Sequence, residues 1–301
     1  MKLHPFVKWV GGKTQLLNEI TDNIPDRTEV YVEPFVGGGA VLFDVLEKKP
    51  RIEVVIINDA NTNLMNAYNC IVHDCDMLID ELSSLAHNFI FADDKEKFYY
   101  EQRKKYNDNV TFDWMRCLHA NLACEQAARF MFLNKTCFNG LYRVNKKGKF
   151  NVPYNGTQTV SFDYDNLKNI STALNKKICL ITNHSYDHCE IMGVITQEKN
   201  PNRLFIYLDP PYRPIKVTGS EVSYTKSGFN DNEQRSLKLY CDYLTERKIK
   251  FIQSNSDPED KFFDKLYDKY YIKRIQARRS INSDGTKRGK INELLISNFK
   301  I

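Results

Sequence analysis

The stretch "TEVYVEPFVGGGAVLFDVLEKK", Thr28 to Lys49, organises the start of the chain. Its first residues, TEVYVEPF, have the β-branched and aromatic character of a strand, VGGGA is a tight loop, and AVLFDVLEKK predicts a helix. "RIEVVIINDA", Arg51 to Ala60, predicts a second strand. A strand, a helix and another strand in this order are typical of an α/β domain with a parallel sheet.

This α/β pattern is interrupted and then resumes. The chain from about Asn61 to Phe132 predicts mostly helices, and "LYRVNKKGKFNVPY", Leu141 to Tyr154, predicts two short strands around an Asn-Lys-Lys-Gly turn. Asn230 with Glu233 predicts the capped start of a later helix. Further strands are predicted by the segments ICLITN, RLFIYLD, IKFIQSN and ELLISNF.

The resumed pattern predicts one α/β domain built from both ends of the chain. We expect a Rossmann-like sheet formed by residues 1–60 and 166–301. Residues 61–165 would form an inserted domain that is mostly helical and carries a β-hairpin. The sequence contains no internal repeat and no low-complexity tract that would suggest another division.

Composition places the chain among ordinary soluble globular proteins. Hydrophobic residues make up 42% of its 301 residues and charged residues 27%. No run approaches the roughly 18 apolar residues of a membrane span, and MKLHPFVKW lacks the apolar core of a signal peptide. We therefore expect a cytoplasmic protein with no membrane partner.

The cysteines and histidines do not predict a metal site. The eight cysteines form no C-x-x-C pair and have irregular spacings, which favours reduced thiols over a disulfide or zinc framework. His184 and His188, with Cys189 beside them, could face a metal from one helical turn. No second pair of ligands accompanies them, so we expect no metal.

The net charge of +5 is unevenly distributed along the chain. Asn134 to Tyr154 contains five basic residues and no acid, and Lys273 to Lys290 contains seven basic residues and one acid. The rest of the chain is net acidic. Basic clusters on such a background predict a surface that binds a polyanion.

Two glycine-rich stretches raise the question of a cofactor. "WVGGKTQLL", Trp9 to Leu17, lacks both the earlier glycine and the preceding strand of a phosphate-binding P-loop. The stretch containing Gly37 is better placed, because it joins a strand to a helix and Asp59 ends the next strand. Glycines let a ligand approach the backbone, and an acid at that position binds ribose hydroxyls. Pro34 and Phe35 would crowd a pyrophosphate, so an adenosine without phosphates fits better than a nicotinamide cofactor.

A third stretch, "RLFIYLDPPYRP" (Arg203 to Pro214), ends a predicted buried strand with a carboxylate, two prolines and a tyrosine. Proline cannot donate to a sheet and fixes its own φ, so Pro210 and Pro211 stop the strand and stiffen the following turn. A rigid turn alone would explain the prolines but gives no reason for Asp209 and Tyr212.

Four motifs in order, PFVKWVGGKTQLL, EPFVGGGAV, IINDAN and LDPPY, resemble the Dam-type DNA methyltransferases that modify adenine N6. In this class of amino-methyltransferase the DNA-reading segment lies between the cofactor loop and the Asp-Pro-Pro-Tyr motif. The resemblance runs from Pro5 to about Phe299 and implies a Rossmann-like methyltransferase fold, double-stranded DNA as substrate and S-adenosyl-L-methionine as cofactor. The cofactor-binding residues that it implies are Trp9, Lys13, Glu33, Pro34, Phe35, Gly37, Gly39, Asp59 and Asp209.

The resemblance also gives the Asp-Pro-Pro-Tyr motif a chemical role. The exocyclic amine of adenine is a poor nucleophile because its lone pair is conjugated into the ring. The Asp209 carboxylate and the Pro210 carbonyl could accept both N–H bonds and free that lone pair. Tyr212 would stack on the base, which must first leave the duplex. No metal and no nucleophilic cysteine are required, and no proline here precedes a cysteine as a cytosine-C5 mechanism would need.

The segment "FNGLYRVN", Phe138 to Asn145, with "FNVPY" after it, resembles the recognition hairpin of enzymes that methylate GATC. Arg143 could donate two hydrogen bonds to a guanine, and Phe138 stands where the family inserts an aromatic wedge. After NVPY the family usually continues with basic residues, whereas NGTQTVSFDYD has none, which leaves the first guanine without an expected reader. The DNA-binding residues implied are Lys8, Phe138, Asn139, Leu141, Arg143, Asn145 and Pro153.

Two other functions remain open at this level. An RNA or protein amine/amide methyltransferase would share the cofactor domain, but such enzymes typically carry Asn at the position of Asp209 and lack the basic hairpin. A DNA-binding protein without catalytic activity would be expected to have a degraded cofactor loop or Asp-Pro-Pro-Tyr motif, and both are intact. The sequence leaves open whether the enzyme acts alone, belongs to a phage or works beside a cognate restriction endonuclease; a monomer is the family's default.

Overall fold

Seven strands of the described chain form one sheet at the centre of the fold. The structure is a computed structural model that describes residues 2–109, 113–114, 119–214, 229–278 and 290–301. Its strands are β1 (Val30–Glu33), β2 (Val54–Asn58), β3 (Ile178–Thr182), β4 (Leu204–Leu208), β5 (Lys250–Ser256), β6 (Tyr271–Arg278) and β7 (Lys290–Ser297). They lie in the order β3-β2-β1-β4-β5-β7-β6. The first five strands are parallel, and β7 lies antiparallel between β5 and β6.

This strand order determines where a ligand can bind. From β1 the sheet extends through β2 and β3 on one side and through β4 and β5 on the other. In open α/β sheets, ligands bind outside the carboxyl ends of the strands at such a point. Glu33 ends β1, and Asp59 and Asp209 directly follow β2 and β4. The predicted Rossmann-like fold is confirmed, and it brings these acids to one edge of the sheet.

Helices cover both faces of the sheet. They are α1 (Leu17–Thr21), α2 (Ala40–Lys48), α3 (Thr62–His73), α4 (Cys75–Phe91), α5 (Lys95–Asp108), α6 (Ala120–Thr136), α7 (Tyr164–Asn175), α8 (Cys189–Gln197), α9 (Asp231–Glu246) and α10 (Phe262–Leu266). The predicted cap of α9 is confirmed, since Asn230 and Glu233 form a reciprocal capping box. No described helix is long and apolar enough to cross a membrane.

Alternate residues of the strands face two hydrophobic cores. Val32, Ile206 and Phe251 face a core that includes residues of α8, α9 and α10. Tyr31 and Phe205 face the other core, which continues without a break into α3, α4, α5 and α6. Because the helices of residues 61–165 share this core with the sheet, the insertion stabilises the fold as well as extending it.

The predicted hairpin forms, but not as two regular strands. Only isolated antiparallel bridges are present within it among the described residues, one of them between Val144 and Phe150. The backbone of Phe150 instead bonds to the side chain of Asn107 through its N–H at 2.8 Å and its carbonyl at 3.0 Å. The Val152 carbonyl accepts from the Tyr99 hydroxyl at 2.8 Å. The two arms share only a few backbone hydrogen bonds, such as that from the Asn151 N–H to the Arg143 carbonyl at 3.1 Å, and side chains of α5 satisfy the groups of Phe150 and Val152 that face this helix.

Candidate active site

The β1–α2 loop has a conformation that only glycine adopts without strain. Gly37 has a φ of +50° and Gly39 a φ of +79°. A Cβ on Gly37 would lie 2.9 Å from the Trp9 ring, and one on Gly39 would lie 2.4 Å from the Tyr68 hydroxyl. Tyr68 also donates a hydrogen bond to the Gly37 carbonyl at 3.0 Å. The loop is thus packed between Trp9 and α3, with no room for side chains at these positions.

Asp59 holds the same loop from the end of β2. Its Oδ2 accepts from the backbone N–H of Gly37 at 3.1 Å, and its Oδ1 accepts from that of Asn61 at 2.9 Å. Burial raises the pKa of Asp59 to about 6, although the two backbone donors act in the opposite direction. Each carboxylate oxygen has a further lone pair for a ligand. The sequence prediction therefore found a residue that is joined directly to the glycine loop.

Asn58, which the sequence interpretation missed, connects the loops after β1, β2 and β3. Its Nδ2 donates to the carbonyls of Pro34 at 2.9 Å and His184 at 3.0 Å. Its Oδ1 accepts from the Thr182 hydroxyl at 2.8 Å and the His184 N–H at 2.9 Å. A buried asparagine between two strand ends is an ordinary residue in sequence, so only its position in the fold reveals this function.

Asp209 forms an ion pair with Lys13. The Lys13 ammonium lies 2.8 Å from Asp209 Oδ2; the lysine side chain is 4% exposed and the aspartate 20%. Among the described residues, Asp209 Oδ1 has no hydrogen-bond partner. Burial raises the pKa of Asp209 to about 6, and the nearby Lys13 is the main opposing influence. The carboxylate thus keeps acceptor capacity that the protein does not use.

Tyr212 is held by one contact to the face of its ring and another to its hydroxyl. The Lys13 ammonium lies 4.5 Å from the ring centroid, and the Tyr212 hydroxyl donates to Glu293 Oε2 at 2.8 Å. Burial raises the pKa of Tyr212 well above its usual range, so the phenol stays protonated and can donate. Glu293 comes from the antiparallel β7, far from the motif in sequence, which is why sequence interpretation missed it.

The remainder of the Asp-Pro-Pro-Tyr turn is braced from α9 and β5. Gln234 donates to the Pro211 carbonyl at 3.1 Å, and Asn255 donates to Gln234 at 3.1 Å while accepting from the Arg213 N–H at 3.2 Å. The buried Arg213 guanidinium pairs with Asp231 and Asp260. No described residue donates to the Pro210 carbonyl.

A cavity of about 170 Å³ lies between the glycine loop and Asp209. Its lining includes the predicted residues Trp9, Lys13, Glu33, Gly37, Gly39 and Asp209, whereas Pro34, Phe35 and Asp59 lie outside the lining. A larger depression of about 480 Å³ near Lys135 and Asp163 is shallow and contains none of these residues. The smaller cavity is therefore the site that the motifs build.

The charge of this region is strongly acidic. Glu33 is 2% exposed and accepts a hydrogen bond from the Tyr31 hydroxyl at 2.7 Å; burial raises its pKa well above the usual range. Among the described residues that line the cavity, Lys13 is the only basic one. Lys13 is outnumbered by carboxyl groups, because Glu33, Asp59 and Glu293 each interact electrostatically with Asp209. Such a site favours a positively charged ligand.

The predicted DNA-reading residues do not line the cavity. Phe138 is 53% exposed, and its N–H donates to the Pro153 carbonyl at 2.9 Å. The exposed Arg143 donates through Nε to Asn151 Oδ1 at 2.8 Å. Leu141 is half-buried against the core, and Asn139 is exposed with a φ of +56°.

The turn of the hairpin is closed by Asn145. Its side-chain oxygen accepts from the backbone N–H groups of Lys147 at 2.9 Å and Lys149 at 3.1 Å. Only the backbones of Lys147 and Lys149 take part in these hydrogen bonds, and their side chains are exposed at the tip of the hairpin. The side chain of Asn145 therefore shapes the turn that presents the basic cluster.

The N-terminal segment, residues 5–13, joins the hairpin to the cavity. The Lys8 N–H and carbonyl both bond to the side chain of Asn134 on α6, at 2.8 and 2.9 Å. Asn134 also donates to the Gly140 carbonyl at 3.0 Å. Trp9 stacks on Tyr142 with ring centroids 5.6 Å apart. The same short segment ends at Lys13, so DNA-reading and cavity-lining residues are held by one piece of chain.

The second basic segment is only partly described. Lys273 pairs with Glu19 at 2.9 Å, and Arg274 pairs with Asp257 and Asp264. Residues 279–289 lie outside the described residues. The described basic side chains of this segment are thus neutralised by the protein's own acids, and its predicted role in binding a polyanion gains no support from them.

The described residues contain no cluster of three or more His, Cys, Asp or Glu side chains that could hold a metal ion. His184 and His188 stack on each other, with ring centroids 3.7 Å apart.

Comparison with known proteins gives a consistent result. Residues 9–281 match the sequence model of a family described as D12 class N6 adenine-specific DNA methyltransferase. The chain is 43% identical to the type II methyltransferase M.MjaIII of Methanocaldococcus jannaschii, over 99% of this chain and 100% of that protein. It is 31% identical to the type II methyltransferase M1.LlaDCHI of Lactococcus lactis subsp. cremoris, over 99% and 96%. It is 30% identical to a DNA adenine methylase of Haemophilus influenzae, over 98% and 93%.

Proposed function

Because the chain belongs to the D12 class of N6 adenine-specific DNA methyltransferases, we propose that it uses S-adenosyl-L-methionine to methylate adenine in GATC sites. Family membership supports DNA as the substrate over the RNA or protein acceptors that the sequence left open. The observation that carries the proposal is the acid-rich cavity where the glycine loop meets Asp209, whose Oδ1 has no described partner.

The residues of this cavity fit the proposed cofactor. S-adenosylmethionine would supply a methyl group on a positively charged sulfonium sulfur. The carboxyl groups of Glu33 and Asp209 line the cavity, where a positive charge would favour their ionised forms, and the loop at Gly37 and Gly39 excludes the side chains that would fill it. Asp59, which accepts a hydrogen bond from the Gly37 N–H, would bind ribose hydroxyls. Trp9 and Lys13 also line the cavity, while Pro34 and Phe35 belong to the loop itself.

The Asp-Pro-Pro-Tyr turn would prepare the target amine. The Asp209 carboxylate and the Pro210 carbonyl accept the two N–H bonds of adenine N6, which favours a tetrahedral nitrogen with a free lone pair. That lone pair would take the methyl group that S-adenosylmethionine supplies, with the C–S bonding pair staying on the sulfur, and the proton lost from N6 would pass to water. The bracing by Gln234 and Asn255 fixes the turn before the base arrives.

The target base must leave the duplex to reach this turn, because N6 is inaccessible within a stacked pair. Tyr212, whose ring is fixed by Glu293, would stack on the flipped base. Phe138 is exposed beside Pro153 and would fill the vacated space in the duplex.

The hairpin would read the target sequence. Arg143 would donate to guanine O6 and N7, and Leu141 and Pro153 would contact thymine methyl groups. Lys8, Asn139 and Asn145 complete the proposed DNA surface. Residues 61–165 would form the target-recognition domain, and residues 1–60 with 166–301 the catalytic domain. We further propose that the enzyme is a cytoplasmic monomer, with any cognate endonuclease acting separately.

A methyl-transfer assay tests this function. Labelled S-adenosylmethionine would be supplied with a GATC duplex, a scrambled duplex, RNA and protein extract as acceptors. We expect label at adenine N6 in the GATC duplex alone, and none with Asp209→Ala, which should still bind DNA. Retention of about a tenth of the turnover by Asp209→Ala would contradict its role, since such acceptors are worth at least about a hundredfold.

Sequencing of methylated adenines in plasmid DNA tests the target separately. We expect GATC as the dominant motif, with the first base pair the most variable because the residues after Pro153 carry no basic side chain up to Asp165. A dominant motif without a central A-T step flanked by guanine and cytosine would overturn the GATC assignment and leave the chemistry intact.

A further inference from the structure

Lys13 makes contacts that differ from those of a residue that merely lines a cavity. Its side chain is 4% exposed, and its ammonium lies 2.8 Å from Asp209 Oδ2 and 4.5 Å from the Tyr212 ring centroid. It also donates to the Gly11 carbonyl, within the same N-terminal segment. The Lys13 ammonium therefore connects this segment to the side chains of Asp209 and Tyr212 in the Asp-Pro-Pro-Tyr turn.

We propose that Lys13 is a positioning residue for methyl transfer: by pairing with Asp209 it fixes the plane of that carboxylate and balances its charge. The proposal rests on the proposed function, because it takes Asp209 as the acceptor of the target amine. It assigns Lys13 a task in catalysis beyond lining the cofactor pocket.

The geometry explains how one ion pair can orient the acceptor. A carboxyl group rotates about a broad torsion, and a hydrogen bond to one oxygen restricts that rotation. Lys13 uses one of about four lone-pair positions on the carboxylate, so the others remain for the amine. The lysine itself is held by Gly11 and by the ring of Tyr212, so it does not follow the carboxylate as a mobile counter-ion would.

The surrounding charges make this ion pair necessary. Asp209 is approached by Glu33 from β1, Asp59 from the end of β2 and Glu293 from β7, and by the phenols of Tyr31, Tyr207 and Tyr212. None of these groups favours the ionised form of Asp209, whereas Lys13 does. Burial already raises the pKa of Asp209 to about 6 with Lys13 in place. Loss of Lys13 would raise that pKa further.

Loss of Lys13 should shift the pH dependence of turnover in one direction. Only the ionised carboxylate can accept the amine N–H with full strength, so turnover falls as pH drops through the pKa of Asp209. Without Lys13 this fall would begin at a higher pH. A lysine that only bound cofactor would change cofactor affinity and leave the pH at which turnover falls unchanged.

The test compares wild-type enzyme with Lys13→Met, which keeps the length of the side chain, and Lys13→Arg, which keeps the charge. Turnover at saturating DNA and S-adenosylmethionine would be followed from about pH 5 to about pH 9. We expect Lys13→Met to lose about tenfold or more of the neutral-pH turnover and to lose activity at a higher pH than wild type, with Lys13→Arg restoring most of both. Thermal melting at each pH confirms that the variants are folded.

Three outcomes would overturn the proposal. Lys13→Met could lower turnover by the same factor at every pH, or weaken only cofactor binding in a calorimetric titration, or increase turnover, which would mean that the ammonium competes with the amine. Asp209→Ala, measured in parallel, separates this failure from that of the proposed function, because an asparagine at this position would keep a carbonyl oxygen that can accept the amine N–H. An inactive Asp209→Ala with an unshifted Lys13→Met profile rejects Lys13 alone, whereas an active Asp209→Ala rejects the role of Asp209.

Discussion

Asp59 shows how one side chain can serve the protein and its ligand together. Its carboxylate accepts from the backbone N–H groups of Gly37 and Asn61, so it shapes the loop that would carry the cofactor. The same oxygens have lone pairs left for ribose hydroxyls. A substitution at this position removes a ligand contact and loosens the glycine loop.

We expect Asp59→Ala to weaken S-adenosylmethionine binding by about 1–3 kcal/mol, the usual loss for a charge-assisted hydrogen bond. Calorimetric titration of the purified protein measures this directly. Glu101→Ala removes an exposed acid on α5 and serves as the charge-matched control, with no expected change. Equal affinities for wild type and Asp59→Ala would reject the assignment.

A single site residue could be predicted when a chemically reactive side chain directly follows a recognisable element in the sequence. Asp59 and Asp209 follow apolar strands, and an acid directly after a buried strand is conspicuous. Asn58, Gln234 and Glu293 could not be predicted, because asparagine, glutamine and glutamate are common and their partners lie far away in the chain. Their function depends on which loops the sheet brings together, and a single sequence does not contain that information.

At the scale of elements, α9 and β5 hold the Asp-Pro-Pro-Tyr turn through a chain of side-chain amides. Gln234 is buried, bonds to the Pro211 carbonyl and is held in turn by Asn255. The Gln234 amide therefore fixes the Asp-Pro-Pro-Tyr turn relative to β5. This bracing is independent of the prolines, which restrict φ but do not fix the turn relative to the sheet.

Gln234→Leu should lower turnover about tenfold, because it leaves the Pro211 carbonyl without its donor and costs about 1–3 kcal/mol of local order. Cofactor affinity should change little, since Gln234 does not line the cavity. Ser236→Ala, on the exposed side of the same helix, is the control. Steady-state kinetics with wild-type turnover for Gln234→Leu would show that the prolines alone suffice.

We expect different residues of the hairpin to read the DNA sequence and to attract DNA in general. Arg143→Ala should cost about 1–3 kcal/mol on GATC and relax discrimination at one base pair. Lys147→Ala, at the exposed tip of the turn, should instead weaken binding to all sequences and reduce the salt dependence by about one phosphate contact. Binding titrations on GATC and scrambled duplexes over a range of salt concentrations distinguish the two effects. A uniform loss for Arg143→Ala would make it a phosphate ligand.

Elements were predictable where their pattern was uniform. β1, β2 and β4 are largely apolar, as expected for parallel strands covered on both faces, whereas β5 (KFIQSNS) buries polar residues as well. β6 is absent from the predicted strands because the adjacent Lys273 and Arg274 interrupt any apolar–polar alternation in "YIKRIQAR" and make the segment part of a basic cluster. The predicted hairpin is present, but its two short strands are reduced to an isolated bridge between Val144 and Phe150, because side chains of α5 bond to backbone groups of Phe150 and Val152.

At the scale of the whole molecule, the order of the strands could not be derived from the sequence. The insertion of β7 between β5 and β6 depends on long-range pairing, as does the position of Glu293 beside Tyr212. The division into two domains remains a prediction from sequence. The structure adds that the inserted helices and the sheet share one core, so neither part is isolated from the other.

This shared construction gives a prediction for chimeras. Replacing residues 61–165 alone with the equivalent segment of a relative of different target should give a protein of lower melting temperature and little turnover. Replacing residues 5–13 together with that segment should restore both, because Lys8 bonds to Asn134 and Trp9 stacks on Tyr142. Melting and methyl-transfer measurements on the two chimeras decide the matter. Full activity of the first chimera would show that the N-terminal contacts are interchangeable.

The N-terminal segment thus limits how the target preference of such an enzyme can be inherited or exchanged. A single recombination event that exchanges the inserted region leaves its first docking partner behind, some fifty residues upstream at Lys8 and Trp9. The parts of the gene that encode residues 5–13 and residues 61–165 would have to be exchanged together, or would have to acquire compensating substitutions afterwards. Gradual substitution within the hairpin, where Arg143 and the lysines are exposed, is the easier route to a new target.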